Sequence, residues 1–260
     1  MNNRINQLFS HKTSDILSVY FTAGFPKLND TVEIIQELEK NGVDLIEIGI
    51  PFSDPTADGP TIQKSSETAL KNGMNLKLLF EQLKTIRESV NIPLVLMGYI
   101  NPVYQYGFEA FCKKCAEVGI DGTILPDLPL DEFEENYKGF FEQNELHNIL
   151  LITPQTSDER IRQIDQTSGG FIYMVSSSST TGAGKKVEDF QRDYFERIQN
   201  MQLNNPRLIG FGISDNATFA NACNYASGAI IGSAFVHAVS GSKNLKKDIA
   251  RFVDSIRKSH

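Results

Sequence analysis

The feature that most constrains this chain is a regular alternation of short apolar segments with amphipathic ones. Eight apolar segments have the length and composition of buried strands: LSVYFT, DLIEIGI, PLVLMGY, GTILP, NILLIT, GFIYMV, RLIGFGI and GAIIGSAF. The segments between them have helical spacing. In DTVEIIQELEKNG, for example, Asp30 is placed to cap a helix and Gly42 to end it. Eight strand–helix units in 260 residues predict a closed parallel (β/α)8 barrel, the TIM-barrel α/β fold.

An open doubly wound sheet is the alternative fold for the same alternation. That fold binds dinucleotides through a G-x-G-x-x-G turn after its first strand, whereas the corresponding segment here, TAGFPKLND, has one glycine. No linker, low-complexity tract or change of composition divides the chain. We therefore predict a single barrel domain over residues 1–260, with a short N-terminal helix whose apolar face carries Ile5, Leu8 and Phe9.

Composition restricts the class of partner and the compartment. A net charge of −7 and a pI near 5.2 argue against nucleic acid or an anionic membrane as the main partner. No apolar run approaches the roughly 18 residues of a membrane helix, and the N-terminus lacks a signal-peptide core, so we expect a cytoplasmic protein. Cys112 and Cys115 lie in a predicted helix and are interpreted as structural. The scattered histidines form no metal-binding motif, so no metal is expected.

Glu47 interrupts the second apolar segment and is the first candidate catalytic residue. Side chains alternate between the faces of a strand, so the isoleucines of this segment should pack against the helices while Glu47 points into the barrel. Active sites of this fold lie at the C-terminal ends of the strands. Burial there raises the pKa of a carboxyl, which suits general acid–base chemistry near neutral pH. A glutamate bound to an interior cation is the less favoured alternative, because the strand segments contain no Lys or Arg except Arg207.

Three aspartates follow predicted strands. Asp58 lies in TADGPTIQ, where Pro60 suits the first turn of a helix. Local sequence leaves two roles for Asp58 equally open, one in catalysis and one in shaping the turn or capping the helix. Asp54 precedes a proline and is interpreted as a turn residue. Asp127, at the end of the fourth strand, is a third carboxylate candidate.

Glycine-rich ends of the last two strands predict a phosphate site. The segment GFGIS contains Gly212, and IIGSAF contains Gly232 and Ser233. Loops after the seventh and eighth strands, together with a helix N-terminus, recur as phosphate sites in these barrels. Glycine allows backbone N–H groups to approach phosphate oxygens closely. The alternative is that these glycines only permit tight turns.

The segment SSSSTTGAGKK, residues 176–186, is a candidate lid over the substrate, and a simple surface loop explains its composition equally well. Tyr173 alternates with apolar residues and is expected near the mouth of the barrel. Tyr20 and Tyr99 hold comparable positions near strand ends. For each tyrosine, the alternative is core filling with a satisfied hydroxyl.

These motifs together resemble the tryptophan synthase alpha subunit family. The resemblance is carried by EIGIPFSDP, which begins at Glu47, and ADGPTIQ, which contains Asp58. It extends along the chain through YFTAGFP, GYINP, LPDLP, FIYMVSSSSTTG, GFGIS and IIGSAFV, in the order of the family. The resemblance implies a (β/α)8 lyase that cleaves indole-3-glycerol phosphate to indole and glyceraldehyde 3-phosphate without a cofactor of its own.

The resemblance also implies residue roles. Glu47 is the general acid–base group, Asp58 holds the indole N–H and stabilises positive charge on the ring, and Tyr173 binds the substrate and helps to position Glu47. The remaining expected contacts fall into two groups. Substrate contacts are expected at Tyr20, Tyr99, Thr181 and Phe211, and backbone contacts with phosphate at Gly182, Gly212, Gly232 and Ser233. Thr181 is expected to meet Asp58 when the lid closes.

A pyridoxal-phosphate beta subunit is the implied partner, in an alpha-beta-beta-alpha heterotetramer, and it receives indole through a tunnel. The expected contact loops lie around 51–55 and at Asn101 and Pro102. Two positions depart from the common family pattern: Thr56 replaces an aliphatic residue, and the lid has serines and a threonine where arginine and glycine are common. These departures bear on lid motion and partner communication rather than on the chemistry.

Two other functions fit parts of the sequence. A phosphosugar isomerase or epimerase of the same fold explains the glycine-rich loops but not the run from Glu47 to Gln63. A non-catalytic barrel that only activates the beta subunit is the other alternative. The presence of both Glu47 and Asp58 argues against it.

Overall fold

A computed structural model gives the structure of residues 3–56, 58–176, 187–210 and 212–258, with the backbone alone for 187–190. The strands are all paired in parallel, in the order β5-β4-β3-β2-β1-β9-β8-β7-β6. They are β1 (Ile16–Thr22), β2 (Leu45–Gly49), β3 (Leu94–Met97), β4 (Gly122–Ile124), β5 (His147–Asn148), β6 (Leu150–Ile152), β7 (Ile172–Val175), β8 (Arg207–Gly210) and β9 (Gly228–Ile231).

The two edges of this sheet are consecutive pieces of one strand. Only Ile149 separates β5, which pairs with β4, from β6, which pairs with β7. The Ile149 N–H still donates to the Thr123 carbonyl at 2.8 Å, so the strand changes partner directly after this bond. Because β5 and β6 count as one strand, the nine segments form a nearly closed eight-stranded barrel. The predicted TIM-barrel α/β class is confirmed. The division of the fifth strand was not predicted.

Helices surround the barrel in the order expected from the alternation. They are α1 (Arg4–His11), α2 (Thr31–Lys40), α3 (Pro60–Lys71), α4 (Leu76–Leu83), α5 (Ile100–Tyr106), α6 (Phe108–Val118), α7 (Leu130–Glu132), α8 (Lys138–Gln143), α9 (Asp158–Thr167), α10 (Val187–Asn200), α11 (Asn216–Cys223), α12 (Ser233–Val239) and α13 (Leu245–Arg257). A π-helical turn, Phe133–Tyr137, joins α7 to α8, and a 3-10 turn, Ile86–Glu88, follows α4. No helix in the described parts of the chain is long and apolar enough to cross a membrane.

Local signals around α2 and α3 were partly correct. Gly42 follows the C-cap residue of α2 with φ +89°, as expected of a helix stop, and Pro60 is the first residue of α3. Asp30 occupies the N-cap position of α2, as expected, but its side chain makes no capping hydrogen bond to the helix. Its Oδ2 instead accepts the Lys27 N–H at 3.2 Å and closes the turn before the helix.

Two apolar cores divide the strand residues as the alternation requires. Ile46, Ile48 and Ile50 belong to the core between sheet and helices, which confirms the face predicted for them. Leu45 belongs to the core inside the barrel, and Glu47 lies in phase with it. The side chain that sequence reasoning placed inside the barrel is therefore fully buried there.

Helix α1 covers the N-terminal end of the barrel. Ile5 is fully buried in the inner core, and the ring of Phe9 lies 5.8 Å from that of Phe171. The amide of Asn3, the N-cap of α1, donates to the carbonyl of Asp121, directly before β4, at 2.7 Å. With this end closed, the C-terminal ends of the strands are left as the open mouth.

A buried charge cluster fastens the closed end. The carboxylate of Asp121, 3% exposed, accepts from Arg4 Nη1 at 2.9 Å, Arg87 Nη2 at 2.6 Å and the Leu94 N–H at 2.9 Å. The Arg87 guanidinium also donates to carbonyls of neighbouring loops, including that of Gly119. Removing one member of such a cluster leaves the others buried without their charge partner.

We expect Asp121→Asn to lower the free energy of unfolding by about 3–5 kcal/mol, because it leaves the part-buried Arg87 without its counter-charge. Urea unfolding followed by circular dichroism measures the change. Asp131→Asn is the matched control: Asp131 is 76% exposed and pairs with Arg160 at 3.0 Å, so its loss should cost no more than about 0.5 kcal/mol. Equal effects of the two substitutions would contradict this assignment.

Candidate active site

The centre of the candidate site is the carboxyl of Glu47, inside the barrel on β2. Its register partner on β1 is Tyr20. Oε1 accepts a hydrogen bond from the Ser18 hydroxyl at 3.0 Å, and Oε2 has no hydrogen-bond partner in the described part of the chain. Burial raises the pKa of Glu47 to about 8, and the bond from Ser18 offsets part of that rise. No described lysine or arginine pairs with it, so the alternative of an interior ion pair finds no support.

Tyr20 on β1 and Tyr173 on β7 lie near this carboxyl. In each case a glycine on the neighbouring strand, Gly49 on β2 or Gly210 on β8, leaves room for the tyrosine side chain. A Cβ at Gly49 would overlap the Tyr20 hydroxyl, and a Cβ at Gly210 would overlap the Tyr173 hydroxyl. Burial raises the pKa of both tyrosines, and the negative charges of Glu47 and Asp58 add to the rise. Both hydroxyls therefore stay neutral and able to donate hydrogen bonds at physiological pH.

Asp58 lies on the loop between β2 and α3 and faces the same space. Its Oδ2 accepts from the Tyr99 hydroxyl at 3.4 Å, and Gln63 Nε2 donates to its backbone carbonyl at 2.8 Å. Burial raises the pKa of Asp58, while the bond from Tyr99 opposes the rise. The ring of Tyr99 stacks on Phe52 at 5.1 Å, so the loop after β2 and the end of β3 are held together around Asp58.

A cleft of about 130 Å³ opens over these groups at the C-terminal mouth. Its walls come from strand ends, from the loops after them and from the first turns of helices. They include Tyr20, Asp58, Ile62, Met97, Tyr173, Gly212, Ile230, Gly232 and Ser233. A second lobe shares Tyr20, Asp58 and Met97 and extends toward Tyr99, Pro126 and Thr153.

The glycine-rich ends of the last strands meet at one side of this cleft. Gly212, which follows β8, adopts φ +76°, a conformation that favours glycine. Gly232 is the N-cap of α12 and Ser233 is its first residue. The structure thus brings together Gly212, Gly232 and Ser233. Thr181, Gly182, Gly184 and Phe211, like most of the predicted lid, lie outside the described residues.

Other candidates have different positions. The Oδ1 atom of Asp127 accepts the Ile100 N–H at 2.9 Å and so holds the start of α5; Asp127 does not line the cleft. Asp54 accepts from the neighbouring Ser53 hydroxyl within its turn. Cys112 and Cys115 are buried in the outer core, as interpreted. The described residues contain no group of three or more His, Cys, Asp or Glu side chains that would hold a metal ion.

Sequence reasoning missed Ser18. It is a fully buried polar residue inside the barrel, and the segment LSVYFT places it on the same face as Tyr20. Its contact with Glu47 depends on the register between β1 and β2. A polar residue on the inner face of a strand next to Glu47 was the only available signal.

The nearly closed barrel carries a buried carboxyl of raised pKa, a second carboxyl at its mouth and glycine-rich strand ends. This set of groups is typical of an enzyme that performs acid–base chemistry on a small molecule. The family model described as tryptophan synthase alpha chain matches residues 7–259. The tryptophan synthase alpha chain of Flavobacterium johnsoniae is 62% identical, over 98% of this chain and 100% of that protein. The chain therefore belongs to the tryptophan synthase alpha chain family.

Solved structures agree with this assignment. The tryptophan synthase subunit alpha from Legionella pneumophila str. Paris superimposes with a TM-score of 0.87 at 32% identity, over 99% of this chain and 98% of that one. Tryptophan synthase from M. tuberculosis in its aminoacrylate-bound form gives 0.85 at 28% identity, over 98% of both chains. The family expected from the sequence is confirmed, and with it a lyase of tryptophan biosynthesis.

The raised pKa of Glu47 predicts a pH-dependent effect on stability. Between its ordinary value of 4.5 and about 8, the carboxyl ionises in the unfolded chain but stays protonated in the folded one. The stability that Glu47 contributes is therefore complete below pH 4.5 and is lost as the pH rises to about 8. Glutamine does not titrate, so Glu47→Gln avoids this loss. Relative to wild type, the free energy of unfolding of the variant should therefore rise by up to roughly 5 kcal/mol between pH 4.5 and about 8.

Urea unfolding of both proteins between pH 5 and 9 measures this difference, and the exposed Glu142→Gln serves as control. A difference between Glu47→Gln and wild type that does not change with pH would mean that Glu47 ionises in the folded chain at an ordinary pKa.

Proposed function

We propose that this chain cleaves indole-3-glycerol phosphate to indole and glyceraldehyde 3-phosphate, with Glu47 as its acid–base group and Asp58 as its electrostatic partner. The observation that carries these roles is the position of Glu47: fully buried, with a pKa raised to about 8, and flanked by tyrosines that line the cleft faced by Asp58. Family membership supplies the reaction, and the geometry supports the assignment of roles.

The raised pKa of Glu47 means that its carboxyl is mostly protonated at pH 7. It donates this proton to the indole ring carbon that bears the glycerol chain, which leaves positive charge on the ring and its nitrogen. Glu47, now a carboxylate, takes the proton of the glycerol hydroxyl next to the ring. That oxygen forms the aldehyde C=O as the C–C bond breaks, and the bonding electrons return to the ring, which leaves neutral indole and a reprotonated Glu47.

Asp58 stabilises the charged intermediate. Its carboxylate accepts the indole N–H, whose positive charge increases when the ring is protonated, so the interaction is stronger in the transition state than in the bound substrate. The Tyr99 hydroxyl opposes the rise in the pKa of Asp58 and so helps to keep it ionised. A neutral Tyr173 beside Glu47 orients the carboxyl and the glycerol chain.

The remaining substrate contacts follow from the cleft. Tyr20 and Tyr99 form walls for the indole and glycerol parts, and the family resemblance adds Thr181 and Phe211 as substrate contacts. Backbone N–H groups at Gly182, Gly212, Gly232 and Ser233 hold the phosphate, because glycine permits their close approach. The side of the cleft where Gly212, Gly232 and Ser233 meet supports this placement.

The family implies a beta-subunit partner, and we propose that this partner carries pyridoxal phosphate in an alpha-beta-beta-alpha heterotetramer, in the cytoplasm. The contact segments are the loop around 51–55 and the first turn of α5 at Asn101 and Pro102, on a single barrel domain spanning 1–260. Phe52, in the first loop, stacks on Tyr99, which bonds to Asp58. This chain of contacts supports an effect of the partner on the catalytic aspartate.

Release of indole from indole-3-glycerol phosphate, measured with and without a beta subunit, tests the proposed function. We expect turnover by the isolated chain and a higher rate with the partner.

Glu47→Gln should lower turnover at least about 10³-fold, because it can neither donate nor accept the transferred proton, while calorimetry still detects substrate binding. Near-wild-type turnover in this variant would falsify the acid–base assignment.

We expect Asp58→Asn to lower turnover by about 10²–10³-fold, the range found for buried groups that stabilise a developing charge. Asp54→Asn on the same loop is the matched control. Asp54 bonds only to its neighbour Ser53 within the described contacts, so the isolated variant should stay within about twofold of wild type. A loss below tenfold for Asp58→Asn would reduce Asp58 to a turn residue.

A further inference from the structure

The two oxygens of the Glu47 carboxyl have unequal surroundings. Oε1 accepts the Ser18 hydroxyl at 3.0 Å, and both side chains are fully buried. Oε2 is equally buried and has no hydrogen-bond partner among the described residues. A buried oxygen without a partner is costly and is usually explained by a functional role or by a bound ligand or water.

We propose that Ser18 is a positioning residue that fastens Oε1 of Glu47 to β1 and leaves Oε2 as the oxygen that exchanges protons with the substrate. The inference rests on the proposed function, in which one carboxyl performs two proton transfers in succession. With Oε1 held, Oε2 alone performs both transfers without a rotation of the side chain between them.

The Ser18 hydroxyl suits a carboxyl that changes its protonation state. When the proton is on Oε2, Oε1 is a carbonyl oxygen and accepts from Ser18. When the proton has left, Oε1 belongs to a carboxylate and accepts the same bond more strongly, because the acceptor is then charged. The bond therefore persists through the cycle, and it lowers the pKa of Glu47, in the direction that opposes burial.

The other groups near Glu47 do not reproduce this effect. Tyr20 on β1 and Tyr173 on β7 are the titratable side chains that interact with its charge, and burial raises the pKa of both. They therefore remain neutral while Glu47 titrates. Asp58 lies across the cleft and interacts with these tyrosines. Among the described residues, Ser18 is the group whose hydrogen bond lowers the pKa of Glu47.

The test compares Ser18→Ala and Ser18→Cys with wild type. The first removes the donor, and the second keeps the shape with a weak S–H donor. Loss of a bond to a charged acceptor should raise the pKa of Glu47 by about one unit. The alkaline limb of the kcat profile for indole release should move up by the same amount. We expect kcat at neutral pH to fall about tenfold and KM to stay within threefold, with Ser18→Cys intermediate.

A titration that does not depend on activity separates this inference from the proposed function. The carboxyl carbon of Glu47 is followed by ¹³C NMR in protein labelled at glutamate, and the Glu47→Gln variant identifies its resonance. Ser66→Ala, a buried serine of α3, is the matched control and should leave both the resonance and the pH profile unchanged.

Each outcome decides one point. A higher pKa in Ser18→Ala supports the positioning role, even if wild type releases no indole, which would overturn only the proposed function. An unchanged pKa by NMR and an unmoved alkaline limb overturn the inference, even if kcat falls, because that result describes a packing role alone. If Ser18→Ala does not fold, the same two measurements on Ser18→Cys decide.

Discussion

Removal of one carboxyl from water governs the arrangement of the whole active end of this barrel. Glu47 lies on the inner face of a strand, where neighbouring strands supply apolar side chains and no described cation pairs with it. A charge in such a place is expensive, so the group holds its proton to about pH 8. Its neighbours suit an acid rather than an anion, because two neutral tyrosines and one serine hydroxyl lie around it.

The two ends of the barrel handle charge in opposite ways. At the N-terminal end, Asp121 is buried but surrounded by two guanidinium groups and a backbone N–H. At the C-terminal end, Glu47 is buried with one hydroxyl and Asp58 with another. The first arrangement satisfies the carboxylate and fixes α1 across the barrel. The second arrangement gives each reactive carboxyl only one hydrogen-bond donor, which lowers stability. The charge cluster at the closed end offsets part of that cost.

Sequence reasoning recovered what depends on a single strand. The alternation in LIEIG was enough to turn the isoleucines outward and Glu47 inward. It did not recover what depends on register between strands, such as the contact of Ser18 with Glu47 or the change of partner at Ile149. For Asp58, turn chemistry left two roles open, since local sequence does not reveal which cleft a loop faces. Only the family resemblance favoured catalysis.

The tyrosines beside Glu47 share a relation with the next strand that limits how this sequence can diverge. Tyr20 is in register with Glu47, and its hydroxyl occupies the place of a side chain at Gly49, two residues further along β2. Tyr173 stands in the same relation to Leu208 and Gly210 on β8. In evolutionary terms, the side chain allowed at each glycine position depends on the tyrosine beside it. A side chain at either glycine requires its tyrosine to shift or to be replaced by something smaller, so the two positions are expected to change together among relatives.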